Sequence, residues 1–139
     1  MKNTTAQSWI IPCNLDYYDV IGAFKYLKKV DWKQSATSIQ PGDVVYVYVG
    51  RPIKAILYKC IVNKVCLPEE EIDDSEFVLN GENYEHYGRY MELEFIREFK
   101  RFLIGLDLLK ENGLKGNIQG PRRVDPITQA FIDRIENEE

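Results

Sequence analysis

Gly42-Asp43-Val44-Val45-Tyr46-Val47-Tyr48-Val49-Gly50-Arg51-Pro52, followed by a largely apolar run from Ile53 to Val65, decides the fold. Two runs of β-branched and aromatic residues flank a Gly/Pro break, which predicts a β-hairpin. In an extended chain, alternate side chains share a face. Val45, Val47 and Val49 then point one way, and Val44, Tyr46 and Tyr48 the other. On the second run Ala55, Leu57 and Ile61 fall together, opposite Ile56, Tyr58, Cys60 and Val62. Neither face is polar, so both must be covered. A closed or half-closed barrel with helices outside would cover them. The expected class is α+β, a small bent β-barrel with flanking helices.

Upstream of the hairpin, Ser8 to Cys13 reads as a first strand with Pro12 near its end. Asp16 reads as an N-cap. Val20, Ala23, Phe24 and Leu27 recur at helical spacing, which predicts a helix over 17–29. The stretch 30–40 reads as irregular and holds Trp32 among Asp31, Lys33, Gln34 and Ser35.

Downstream, residues 68–88 show no period and several turn formers, and read as a long surface loop with one short helical turn. Met91, Leu93 and Phe95 alternate with Glu92, Glu94 and Ile96, predicting a strand within 89–102 with one core face and one wet face. A short helix follows over 106–112, with Gly113 as its C-terminal cap. Asp125-Pro126 is an N-cap followed by proline at the first helical position. Ile127, Phe131 and Ile135 then mark a closing helix to about Glu136.

A length of 139 residues fits one domain spanning 1–139, with residues 1–7 and 137–139 flexible. With 45% hydrophobic and 29% charged residues, the composition is that of a soluble globular chain. No apolar run is long enough to span a bilayer. The first residues lack the apolar core of a signal peptide, so the expected location is cytoplasmic, with no membrane partner. Cys13, Cys60 and Cys66 lack metal-ligand spacing and read as reduced and structural. The lone histidine, His86, rules out a histidine-rich metal site. The net charge of −4 argues against non-specific coating of nucleic acid, while allowing a local basic rim.

A search for catalysis finds no nucleophile elbow, no phosphate loop and no dinucleotide fingerprint. His86 lies in a polar loop beside Tyr84 and Tyr87, where a histidine is far more often a bystander than a general base. The carboxylates of 69–76 read as a solvated run. The chain is therefore expected to be no enzyme and to need no cofactor. What remains is a set for holding a planar base: aromatic walls, a few amides, and arginines for phosphate. Trp9 and Tyr46 read as core. Trp32 and Tyr48 fit either core or pocket, and Arg122 and Arg123 alone would be an ordinary surface pair.

The order Trp9-Ile10-Ile11-Pro12-Cys13-Asn14, a helix, Asp31-Trp32-Lys33-Gln34-Ser35, Gly42 to Val49, and Gly120-Pro121-Arg122-Arg123-Val124-Asp125-Pro126-Ile127-Thr128 resembles the EVE domain of the PUA-like superfamily. That superfamily also holds the ASCH and YTH domains. The resemblance runs from Ser8 to Ile135 and lies in the order and spacing of short motifs. It is strongest to the EVE-like branch, sometimes fused to nucleases. It implies a PUA-like bent barrel whose pocket takes a base flipped out of DNA or RNA, often a modified one. Carried over, the base pocket would be Pro12, Asn14, Trp32, Gln34, Tyr48, Gly50, Gly120 and Arg123. Trp32 would stack on the base, Gln34 and Asn14 would read its edge, and Tyr48 would form a wall. Lys33, Arg122 and Arg123 would touch phosphates.

The function expected from this is non-catalytic binding of DNA or RNA bearing a modified base. Two other classes stay open. One is a protein-interaction or specificity subunit of a separately encoded nuclease or defence system. The other is a small-molecule or nucleotide binder on the same barrel.

Overall fold

The computed structural model describes residues 6–34, 36–68, 75–77 and 89–138. Among them the chain runs β1 (Ser8–Cys13), α1 (Val20–Tyr26), β2 (Lys29–Lys33), β3 (Val44–Val49), β4 (Ala55–Leu67), a 3-10 turn (Ser75–Phe77), β5 (Tyr90–Glu98), α2 (Leu106–Glu111), β6 (Arg122–Arg123) and α3 (Pro126–Glu138). The strands form one mixed sheet in the order β2-β5-β4-β3-β1-β6. The class is α+β. The sheet is bent but not closed, with β2 and β6 at its two edges.

The central hairpin forms as its residues require, β3 pairing antiparallel with β4. Val45, Val47 and Val49 enter the larger core, while Tyr46 and Tyr48 enter a second core on the opposite face. Helix α1 covers the first face through Val20, Ala23 and Phe24. Helices α2 and α3 cover the second through Leu109, Phe131 and Ile132.

The alternation expected on β4 holds only at its start. Ala55 and Leu57 face the larger core and Ile56 the smaller, but Tyr58, Cys60 and Val62 then join the larger core too. The register slips there: Val47 pairs Tyr58 while Tyr48 pairs Ile56. One extra residue, Leu57, inverts the phase of everything after it. Further slips between Lys59 and Cys60, and from Val62 to Leu67, bend the β4–β5 pair. Met91 and Leu93 of β5 and Val30 and Trp32 of β2 consequently share a core with β1 and β3.

Other expectations shift. The segment expected to be irregular after α1 is partly strand, with Lys29–Lys33 paired to β5. Helix α1 is shorter than 17–29, and its cap is Asp19, whose Oδ1 accepts from the Gly22 N–H at 2.9 Å. The wet face of β5 holds a buried Glu92, because Asn63 Nδ2 donates to it at 2.8 Å and covers it from β4. Gln7 donates its N–H to Asp43 Oδ1 at 3.0 Å, and α3 extends to Glu138. The closing helix starts as read: Asp125 Oδ1 accepts from the Thr128 N–H at 2.9 Å. In the loop read over 68–88, one helical turn is present at Ser75–Phe77. His86, Tyr84 and Tyr87 lie outside the described residues, as do most of the acidic run and Ser35.

Cys13, Cys60 and Cys66 are free, the first two buried and Cys66 exposed. No helix among the described residues is long and apolar enough to cross a membrane.

Candidate functional site

Strands β1 and β3 run parallel, pairing Ser8 with Val44 through to Cys13 with Val49. Their carboxyl ends therefore lie side by side. Strand β6 pairs only with Trp9 and Ile10, so β1 has a free edge beyond them. Pro12 sits on that free edge, where a missing N–H costs no ladder bond. A cavity of about 700 Å³ opens there, lined by Pro12, Cys13, Asn14, Asp16, Tyr48, Gly50, Arg51, Pro52, Ile118 and Gln119. Its size is that of a small-molecule site.

Each wall has a local cause. The Gly50 N–H donates to the Cys13 carbonyl at 3.0 Å and seals the end of the parallel pair. The chain then turns through Arg51 and Pro52, joined by a cis peptide bond, and Lys54 takes a left-handed φ of 53°. Asn14 Oδ1 accepts from the Asp16 N–H at 2.9 Å, which fixes the amide. Because that partner is a donor, the facing atom must be the oxygen, and Nδ2 is the donor left for a ligand. Ile118 and Gln119 arrive from the segment that leads back to β6.

The chemistry is that of binding. Burial raises the Tyr48 hydroxyl pKa above its ordinary value, and the nearby Asp107 charge raises it further, so the ring stays neutral at physiological pH. Burial, then the charge of Asp19, pushes the Cys13 thiol up to about 12. A thiol so raised is a poor nucleophile at neutral pH.

Four of the eight residues expected in the base pocket line this cavity: Pro12, Asn14, Tyr48 and Gly50. Gly120 is next in chain to Gln119 but outside the lining. Trp32 and Gln34 are not brought to the cavity. Trp32 is 8% exposed and packs edge-on against Tyr18, with ring centroids 5.5 Å apart. Its polar neighbours suggested a loop, but pairing with Met91 draws it into the core. Gln34 is held by structural bonds: its Oε1 accepts from the Cys66 N–H at 2.8 Å and its Nε2 donates to the Ala36 carbonyl at 3.1 Å. Arg123 lies over the Trp9 ring at 5.3 Å, Arg122 Nη1 donates to the Lys115 carbonyl at 2.7 Å, and Lys33 is exposed on β2. None of these three lines the cavity.

Sequence reasoning missed Cys13, Asp16, Arg51, Pro52, Ile118 and Gln119. Arg51-Pro52 was legible only as a turn, and Asp16 only as a helix cap. Asp43, which carried no assignment, accepts from Gln7 N, Gln40 N and Trp9 Nε1, each at 3.0 Å, and ties β1 to the turn before β3.

No family model and no curated protein matches the sequence. Solved structures do match the fold. The ASCH protein from Zymomonas mobilis superposes with a TM-score of 0.66 at 12% identity, over 92% of this chain and 94% of that one. A protein of Agrobacterium tumefaciens gives 0.63 at 11% identity, over 94% and 92%. A Rhodopseudomonas palustris protein solved by NMR gives 0.60 at 10% identity, over 96% and 94%. At these identities the likeness is one of fold: this chain has the α+β architecture seen in the ASCH protein of Zymomonas mobilis.

Proposed function

We propose that the protein is a non-catalytic module that binds RNA or DNA by holding one unpaired base, flipped out and modified, in the cavity at the ends of β1 and β3. The observation that carries this is the cavity itself: about 700 Å³, with Tyr48 as its aromatic wall and Asn14 Nδ2 as a fixed donor. Pro12 and Ile118 supply apolar surface for the faces of a heterocycle. Tyr48 is as buried as Trp32, at 7% exposed, but it borders the cavity where Trp32 does not, and on this reading the stacking role goes to it. The order of motifs from Trp9 to Thr128 favours the EVE-like branch within the PUA-like superfamily, and the shared fold is consistent with that.

A panel of single- and double-stranded oligonucleotides carrying different base modifications, titrated at several salt concentrations, tests the reading. The expected result is binding that depends strongly on the modification and weakly on salt. Binding indifferent to base and steeply dependent on salt would point to bulk charge and remove the cavity from the account.

One observation favours a second reading, a protein-interaction subunit such as the specificity partner of a nuclease. Phe102, just after β5, is 90% exposed. A stable protein partner lost on Phe102→Ser, with no oligonucleotide binding at low salt, would select this reading.

A further inference from the structure

We infer that Arg51 is the anion-binding residue of the cavity and holds a phosphate of the nucleotide whose base enters there, an inference that rests on the base-holding function proposed above. Arg51 is the one cation among the residues that line the cavity. It is exposed and has no carboxylate partner among the described residues. Among the described residues its planar fork of N–H donors is therefore free, and that geometry matches two phosphate oxygens at once.

The mounting is firm. The Gly50 N–H is bound to the Cys13 carbonyl at 3.0 Å, and the Gly50 carbonyl accepts from Ile53 N at 3.0 Å and Lys54 N at 3.2 Å. Arg51 thus stands on a turn tied directly to the end of β1, beside Pro12 and Asn14. Lys54, exposed on the same turn, adds a second positive charge. The other basic candidates lie outside the lining: Arg122 is bonded to the Lys115 carbonyl and Arg123 lies over Trp9.

Asp16 lines the same cavity. Its carboxylate would repel a bare anion. A nucleotide satisfies both groups, with phosphate oxygens for Arg51 and base N–H groups for Asp16. The chemistry selects a nucleotide unit over a simple anion or an uncharged heterocycle.

The test is to titrate wild type, Arg51→Ala and Arg51→Lys with single-stranded oligonucleotides carrying the panel of modified bases, and with the 5′-monophosphates of the same modified nucleosides against those nucleosides, at several salt concentrations. Arg51→Ala is expected to lose about tenfold or more in affinity for the oligonucleotide. Its slope of log affinity against log salt should shrink by about 0.7, the value of one phosphate contact on a single strand. Arg51→Lys should keep the slope and lose part of the affinity. A strand phosphodiester as the source appears in the oligonucleotide arm. A terminal phosphate appears as a preference for nucleotide over nucleoside that Arg51→Ala abolishes. Either supports the inference. If wild type binds and Arg51→Ala matches it in affinity and slope, the inference is overturned while the base-holding function stands. A wild-type protein that binds no probe overturns both.

Discussion

Pro12 and Tyr48 are register partners across the parallel pair β1–β3, and both line the cavity. The pairing sets an apolar ring without an N–H beside an aromatic one at the point where β6 no longer covers β1. A strand edge that would otherwise invite another chain thus forms the wall of the cavity.

Tyr48 is expected to supply the stacking surface. Tyr48→Ala should weaken oligonucleotide binding by about 1–3 kcal/mol, the range for one base on one aromatic ring. Tyr48→Phe should retain most of that affinity. Fluorescence anisotropy measures both, with urea unfolding as a control because Tyr48 also packs in the second core. An alanine variant that folds and binds like wild type would remove Tyr48 from the site.

Trp32 is expected to act on stability. Its ring is buried against Tyr18 in the larger core. Trp32→Ala should cost about 3–5 kcal/mol, as for other large aromatics removed from a core. Urea unfolding at neutral pH checks this, and an unchanged midpoint would show the ring to be dispensable to packing.

Asp43 joins three segments. Asp43→Ala would leave the buried Trp9 Nε1–H without its acceptor, and free the N–H groups of Gln7 and Gln40. The expected loss is on the order of 3 kcal/mol, since an abandoned buried donor forfeits its solvation as well as its bond. Amide exchange at Gln7 and Gln40 should quicken in the variant. Exchange rates equal to wild type would place the clamp elsewhere.

Alkaline pH should weaken the fold. Burial raises Cys13 from 9.0 to about 12, and Tyr46 from 10.0 to about 12. The folded chain keeps these protons while the unfolded chain releases them at the ordinary values, so the unfolded state binds fewer. Stability is then whole below pH 9.0 and falls as pH climbs toward about 12. Urea midpoints across that window, with tyrosinate absorbance followed in parallel, test the sign. A midpoint that holds steady or rises there contradicts it.

The candidate site was half legible. Pro12, Asn14, Tyr48 and Gly50 end recognisable motifs, and those motif ends converge. Arg51 looked like turn chemistry and Asp16 like a cap, because nothing along the chain reports which loops lie side by side. Trp32 misled for the opposite reason: Asp31, Lys33 and Gln34 made its surroundings polar, yet the side chains of Asp31 and Gln34 are themselves buried.

By itself the sequence determined what local chemistry controls. The two-faced alternation of Val44 to Val49 fixed a central strand covered on both sides, and Asp125-Pro126 with Thr128 fixed the start of α3. Tertiary structure decided what depends on pairing across distance. The slip between Val47 and Tyr48 swung Tyr58, Cys60 and Val62 onto the larger core. The pairing of Trp32 with Met91 carried that indole inward. The parallel register of β1 with β3 placed Arg51 and Asn14 around one cavity. Local signals act over a few residues, whereas a register is settled by whichever strand lies alongside.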